Sequence, residues 1–431
     1  MNRYQAAEYT MDALKKAGAQ EVRVTASEGC KEELNAEVGE FSLYRTLFNT
    51  SLNIKALKDG RKGTATINKL DKDAIDEAVA ETIAAADAGV VDEAEGIAEL
   101  TRNEKFEAGV LTPNKEALFD RIQEYLAEVK DKYPKINLEQ FIASYNKSEE
   151  IFLNSNGVVF EKAAGSYNYN SMFTGQDGEK STSFSGYGVT FTDVSKKFLD
   201  YTYARQTLLD TLNSFDPITV DGKFIGPVIF SPDCVSFLMY MVSMMFAGEG
   251  SIIDGTSIWM DRLGKQVASP KLTIGMNPHD LRIICGERYT GDGYLAEDCD
   301  IIKDGVLQTF LLSRYGSRKT GHARAKNLSH SFIIDNGDKA FGEMVKSIDK
   351  GLLVNRFSGG MPAPNGDFSG VAKNSFVIEN GKVGKPISET MISGNIVDIL
   401  NNILAISKDT IADGGSVLPW ILMDGVTISG K

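Results

Sequence analysis

The sequence predicts an α+β fold in two parts. Helical and strand periodicities are mixed without the strict strand–helix–strand alternation of a parallel α/β sheet. A cluster of turn signals, Asp216-Pro217, Asp221-Gly222 and Gly226-Pro227, marks a boundary near the middle of the chain. The 431 residues suffice for two or three cores. The expected division is a helix-plus-antiparallel-sheet domain over 1–215 and a strand-rich domain over 216–431 that carries a central apolar helix.

The elements follow in order. Residues 3–17 read as an amphipathic helix, with Tyr4, Ala7, Met11 and Leu14 on one face and a stop at Gly18. Val22, Val24 and Ala26 alternate as a strand, and Leu52, Ile54 and Ala56 do so again before an Asp59-Gly60 turn and a return strand through Ile67. Asp71 caps a helix carrying Ile75, Val79, Ile83 and Ala86. Residues 90–112 look irregular and acidic. Thr112-Pro113 opens a second long helix that ends at Pro134.

From 136 to 206 the pattern is mostly strands, with Asn156-Gly157 the strongest hairpin signal. The Gly-, Ser- and Tyr-rich stretch 166–188 reads as edge strands with mobile loops. The second half opens with the strand VIF and continues, after an apolar helix, as short strands with turns at 303–305, 379–381 and 423–425. One helix, 396–406, interrupts them.

The apolar helix is the most unusual element. Ser231-Pro232-Asp233 reads as an N-cap, a Pro at N1 and an acid near the positive end of the helix dipole. Met239, Met241, Met244 and Met245 then crowd a run that stays uncharged to Gly248. Apolar residues fall on every face, which predicts a helix packed all round. The run is too short to span a bilayer, where about 20 apolar residues are needed. The N-terminal residues lack the apolar core of a signal peptide, so cytoplasm and no membrane are expected. A net charge of −13 argues against nucleic acid as a partner. Cys30, Cys234, Cys285 and Cys299 are far apart and are expected to be reduced thiols.

Catalytic motifs are scarce. The histidines, His279, His322 and His330, have no metal-ligand spacing. Ser144-xx-Lys147, Ser166-x-Asn168 and Lys319-Thr320-Gly321 match the marks of penicillin-recognising serine hydrolases. That chemistry needs the serine at the start of a helix, and Ser144 follows strand-like residues and enters a polar turn. The basic segment 314–326 stands out in an acidic chain. Arg314, Arg318, Lys319, His322 and Arg324 read either as a solvated loop or as a cationic lip at a groove, holding a peptide carboxylate or an acidic partner.

PVIFSPD with the following apolar helix, GTSIWMDRLGKQVASPKLTI, SRKTGHARAK, NGDFSGVAKNSFVIENGKVGKPISETMISGN and LPWILMDGVTISG occur in this order. Together they resemble the TldD/PmbA family over about residues 216–431, with looser agreement in NIKALKDGRKGTATIN and LNSNGV. The resemblance implies a cytoplasmic protein linked to proteolysis and peptide maturation, with "modulator of DNA gyrase" as an older family label. In the TldD-like branch this helix carries HExxxH, with zinc and a Glu acid/base. Here Met239 and Met244 stand at the histidine positions and Tyr240 at the glutamate. Thioethers are poor zinc ligands and Tyr is a poor base at neutral pH. The branch's later cysteine ligand has no counterpart in 358–370.

The implied reading is therefore the PmbA (TldE-like) branch. This would be a non-catalytic subunit with no metal of its own, pairing with a zinc-bearing TldD-like subunit, or forming a homo-oligomer, and handling small unfolded peptides. The alternatives are a stand-alone hydrolase whose site is assembled from loops, and a peptide-binding regulatory protein.

Overall fold

The computed structural model describes residues 1–100 and 102–431. Its first part is one sheet with helices on it. In chain order the elements are α1 (Arg3–Lys16), β1 (Glu21–Glu37), β2 (Glu40–Lys58), β3 (Arg61–Ile67), α2 (Lys72–Ala88), β4 (Glu104–Gly109) and α3 (Lys115–Lys132). Then come β5 (Ile136–Asn154), β6 (Val159–Asp177), β7 (Lys180–Ser181), β8 (Ser185–Phe191) and α4 (Ala204–Leu212). The sheet runs β3-β2-β1-β5-β6, and β4 and β8 share the far edge of β6.

The caps explain several boundaries. The Asp71 carboxylate accepts from the Ala74 amide, as its sequence position predicts. The second long helix starts later than expected: Asn114, not Thr112-Pro113, is its cap, accepting from the Ala117 amide. Residues 90–112 are not wholly irregular, because β4 pairs in parallel with β6. The Tyr-rich segment is not an edge. β6 lies between β5 on one side and β4 and β8 on the other, with Tyr167 and Tyr169 in a core shared with Phe141 and Phe198. Lys147–Glu149 continues β5, so the turn expected after Ser144 does not exist.

The second part is a larger, mixed sheet. It comprises β9 (Lys223–Phe230), α5 (Pro232–Val242), α6 (Glu249–Ile253), β10 (Ile274–Met276), β11 (Cys299–Lys303), β12 (Val306–Leu307), α7 (Arg314–Thr320), β13 (Phe332–Ile334) and α8 (Phe341–Lys346). β14 (Lys350–Val354), β15 (Arg356–Gly359), β16 (Asp367–Lys373), β17 (Phe376–Glu379), β18 (Lys382–Pro386), β19 (Thr390–Asn395), α9 (Ile396–Asn401), β20 (Ile403–Ala412) and β21 (Val417–Ser429) complete it. The main path is β12-β11-β10-β13-β21-β9-β14-β17-β18.

Two turns fall where expected, between β11 and β12 and between β17 and β18. Met423–Gly425 is instead a bulge inside β21, where the register with β9 shifts. The expected helix 396–406 stops at Asn401, and its second half is strand β20. Residues 314–320 are helix α7 rather than loop, because the Ser313 hydroxyl caps them through the Gly316 amide. Among the described residues no helix is long and apolar enough to cross a membrane.

Candidate functional site

β9 delivers the chain into α5. The Ser231 hydroxyl accepts from the Cys234 amide and donates to the Asn355 carbonyl, 2.9 Å away, which ties the helix start to the strand end after β14. Cys234, Val235, Met239, Met241 and Val242 turn into the main core of the second sheet. Burial pushes the Cys234 thiol up to about 12, so it stays protonated and inert. The helix is not packed on all faces. Phe237, Tyr240 and Met244 are 37, 46 and 45% exposed, at i, i+3 and i+7, and form an outward stripe. Apolar composition concealed this stripe because aromatic and thioether side chains serve core and open surface alike.

A π turn, Ser243–Ala247, follows without a break. Such turns are rare and often lie at functional sites. The helix ends at Gly248, where a β-carbon would sit 2.6 Å from the Met244 carbonyl oxygen, so only glycine fits.

Two hollows flank the outward stripe. Phe237, Leu238 and Met241 face Phe357, Pro362 and Phe368 across a narrow apolar crevice. Met244, Met245, Glu249, Asp254, Ser313, His330 and Pro364 line a wider cleft of about 570 Å³. One short segment, 362–364, borders both. The Glu249 carboxylate accepts from the Ser313 amide (2.6 Å), the Ser313 hydroxyl and the Gly316 amide (3.2 Å). Its role is thereby architectural: it fixes α7 against α6. His330 lines the cleft, and burial lowers its pKa below the ordinary imidazole value, which favours the neutral ring.

The three positions that the resemblance sets against HExxxH, Met239, Tyr240 and Met244, do not converge. Met239 is 1% exposed and belongs to the core, whereas Tyr240 and Met244 face outward. His279 lies beside Asp298 (3.2 Å), His322 packs on Phe310, and His330 is in the cleft. Among the described residues no three His, Cys, Asp or Glu side chains are grouped to hold a metal ion. The thioethers of Met239 and Met244 and the phenol of Tyr240 do not fit zinc.

The serine-hydrolase triplets are dispersed as well. Ser144 is buried in β5 with its hydroxyl held by Asn146, Asn168 is its neighbour across β6, and Lys319-Thr320 lies in α7.

The basic segment is docked on the acidic stretch 92–99. Lys319 is 2.9 Å from Asp92, which also accepts from the Tyr315 hydroxyl. Arg314 is 3.4 Å from Glu99, and Arg318 donates to the Glu93 carbonyl. Arg324 lies over the Tyr294 ring at 4.0 Å and donates to the Ala325 carbonyl. Behind them, Lys55 and Lys62 each lie 2.5 Å from Glu95. Hydrogen bonds from Lys319 and the Ala94 amide hold Asp92 below the usual carboxylate range. Burial pushes Glu95 up, but its two lysines outweigh that and leave it lowered. Arg314, Arg318 and Lys319 clamp the first sheet's acidic loop to the second sheet's α7, and Lys55 and Lys62 hold that loop to the first sheet.

Residues 222–430 match the family described as PmbA/TldA metallopeptidase C-terminal domain. The chain is 27% identical over 451 residues to a Metalloprotease PmbA homolog of Haemophilus influenzae, covering 99% of this chain and 96% of that protein. Metalloprotease PmbA of Escherichia coli is 33% identical over 212 residues, 48% of this chain and 46% of that protein. A crystal structure of TldE from Thermococcus kodakarensis shares the fold, with a TM-score of 0.84 and 18% identity over 99% of this chain and 100% of that one. Residues 222–430 thus carry the C-terminal domain of the PmbA/TldD family, and the likeness to a PmbA homolog extends over nearly the whole chain.

Proposed function

We propose that this protein is the non-catalytic, TldE-like subunit of a cytoplasmic peptide-processing metallopeptidase, paired with a TldD-like subunit that brings the zinc. The observation that carries the reading is the outer face of α5. The family's metal helix is kept and bordered by two hollows, but it presents Phe237, Tyr240 and Met244 outward and turns Met239 inward. Such a face can hold the apolar side chains of an unfolded peptide and supplies no ligand set or base.

The test is reconstitution. The purified chain is expected to contain no stoichiometric zinc and to leave an unfolded peptide intact. Mixing with a TldD-like subunit is expected to give a complex by size exclusion and zinc-dependent cleavage. Cleavage by this chain alone that survives a chelator would support a stand-alone hydrolase instead. A homo-oligomer that binds peptide and ignores the TldD-like subunit would support the regulatory reading.

A further inference from the structure

The half of β2 before Leu52 is an open sheet edge. β1 pairs with β2 along almost its whole length, but β3 covers the other side only over Leu52–Lys58, because β3 ends at Ile67. Among the described residues no strand pairs with 41–51 on that side, and every residue from Glu40 to Asn49 is exposed. An open edge presents a row of unpaired N–H and C=O groups, which proteins usually blunt with Lys, Pro or an inward charge. This edge has no Lys or Pro from Phe41 to Ser51. Its one charged side chain, Arg45, is already matched by Glu33 at 2.7 Å. Ser42, skipped in the pairing with β1, is a bulge at one end and leaves the rest of the edge regular.

The side chains are apolar where a solvated edge would be polar. Phe48 is 79% and Tyr44 56% exposed, and Phe41, Leu43 and Leu47 are exposed as well. Together they offer on the order of 500 Å² of apolar surface, at ~200 Å² for a large side chain. A standard interface takes ~800 Å² in all from each partner, and the edge backbone with its polar neighbours makes up that difference.

The edge is also complementary to itself. Its unpaired stretch, 41–51, is centred on Thr46. Antiparallel pairing of two copies about a two-fold axis at Thr46 uses the whole stretch and stops where β3 begins. Tyr44, Thr46 and Phe48 alternate onto one face. The axis sets Thr46 opposite Thr46, and each Tyr44 opposite Phe48 of the second copy. Thr–Thr and aromatic pairs are favourable cross-strand neighbours. On the other face Arg45 falls opposite Leu47, so the two guanidinium groups are not opposed and each keeps its Glu33. We propose that β2 pairs with β2 of a second copy of this chain, joining the two first sheets into one across Thr46. This surface lies outside the α5 site and does not depend on the peptide-processing reading.

The test is sedimentation equilibrium of the full chain at micromolar concentration, where the wild type is expected to be a dimer. Thr46→Lys sets two ammonium groups opposite each other at the axis, on a side chain that is exposed in the single chain. It is expected to raise the dissociation constant about tenfold or more, with the circular dichroism of the folded chain unchanged. Thr46→Cys is made in a Cys30→Ser background, which removes the native thiol paired with Phe48 in the same chain. It is expected to give a disulfide-linked dimer on mild oxidation, because opposed Cα atoms lie about 4.5–5.5 Å apart, within disulfide reach. Leu43→Cys in the same background is expected to stay unlinked, since it falls opposite Asn49 and about 20 Å from its own counterpart. A wild type that is monomeric at its highest soluble concentration would overturn the proposal. So would a dimer that Thr46→Lys leaves equally tight, or linkage through Leu43→Cys as fast as through Thr46→Cys. A monomeric wild type whose complex with a TldD-like subunit is lost in Thr46→Lys would assign the edge to that subunit and overturn it too. None of these readouts involves zinc or peptide cleavage.

Discussion

The molecule holds two groups of carboxylates at the junction of its sheets, and they behave oppositely. Asp92, Glu95 and Glu99 meet α7 and the lysines of β2 and β3, and the pKa of each is lowered. Asp210 and Asp233 line an open cleft with almost no cation, and both are raised. Burial alone would push all of them upward. The sign of the shift therefore separates carboxylates whose charge the fold has already matched from those it has not. The first kind joins the sheets. The second kind costs stability above its raised pKa.

The largest expected effect comes from breaking the matched group. Glu95→Gln leaves Lys55 and Lys62 without their carboxylate, and Lys55 is mostly buried. A loss of about 3 kcal/mol is expected, the lower end for an uncompensated buried ion, since Lys62 is half exposed. Urea denaturation measures it.

The mirror experiment is Asp233→Asn. Removing an unmatched charge is expected to stabilise at neutral pH, by less than about 1 kcal/mol after screening in an open cleft. Destabilisation would mean that Asp233 is matched in solution.

Acid titration sharpens the contrast. A lowered carboxylate contributes stability above its unfolded pKa of about 4 and loses it as pH falls through the folded value. A raised carboxylate destabilises above its folded value, and that cost disappears as pH falls through it. The urea midpoint is therefore expected to rise slightly as pH drops from 7 toward the raised values, then to fall steeply below about 4. Glu95→Gln should flatten the acid limb and Asp233→Asn the rise.

The smallest effect is expected for Arg318→Ala. Its bond to the Glu93 carbonyl is at the surface, and a loss of about 0.5 kcal/mol or less is expected in the same assay. A defect in peptide binding with unchanged melting would return the basic segment to the site, whereas a larger loss of stability would mark Arg318 as a stronger part of the clamp.

The elements readable from sequence are those with a local physical signature. α1, α2 and the start of α5 announce themselves by caps, and the β2–β3 and β5–β6 hairpins by turn residues. Residues 27–50 gave no such signal, because this half of the β1–β2 ribbon has little core to pack on. Phe41, Leu43, Tyr44 and Phe48 are exposed, so alternation carries no burial pattern. α7 was hidden because its charges looked like solvated loop chemistry, whereas their partners lie over 200 residues away at Asp92 and Glu99. Family resemblance singled out α5, but the inward turn of Met239 was not legible, since it depends on which face meets the core. The cleft between the sheets had no sequence signal: Asp210, Asp233, Asn374 and Asp413 are scattered along half the chain, and Asp233 read only as a helix-start acid.

The position of β21 has a consequence for how the molecule is made. This strand pairs with β9, β13, β19 and β20, and all four are synthesised before it. The first sheet has every strand by residue 191 and can close while translation continues. The second waits, with Val228, Ile229 and Phe230 lacking their β21 neighbours, until residues 417–429 emerge. Its closure is a single late event, and a ribosome stalled before 417 holds an unpaired apolar strand edge of the kind that aggregates or recruits chaperones.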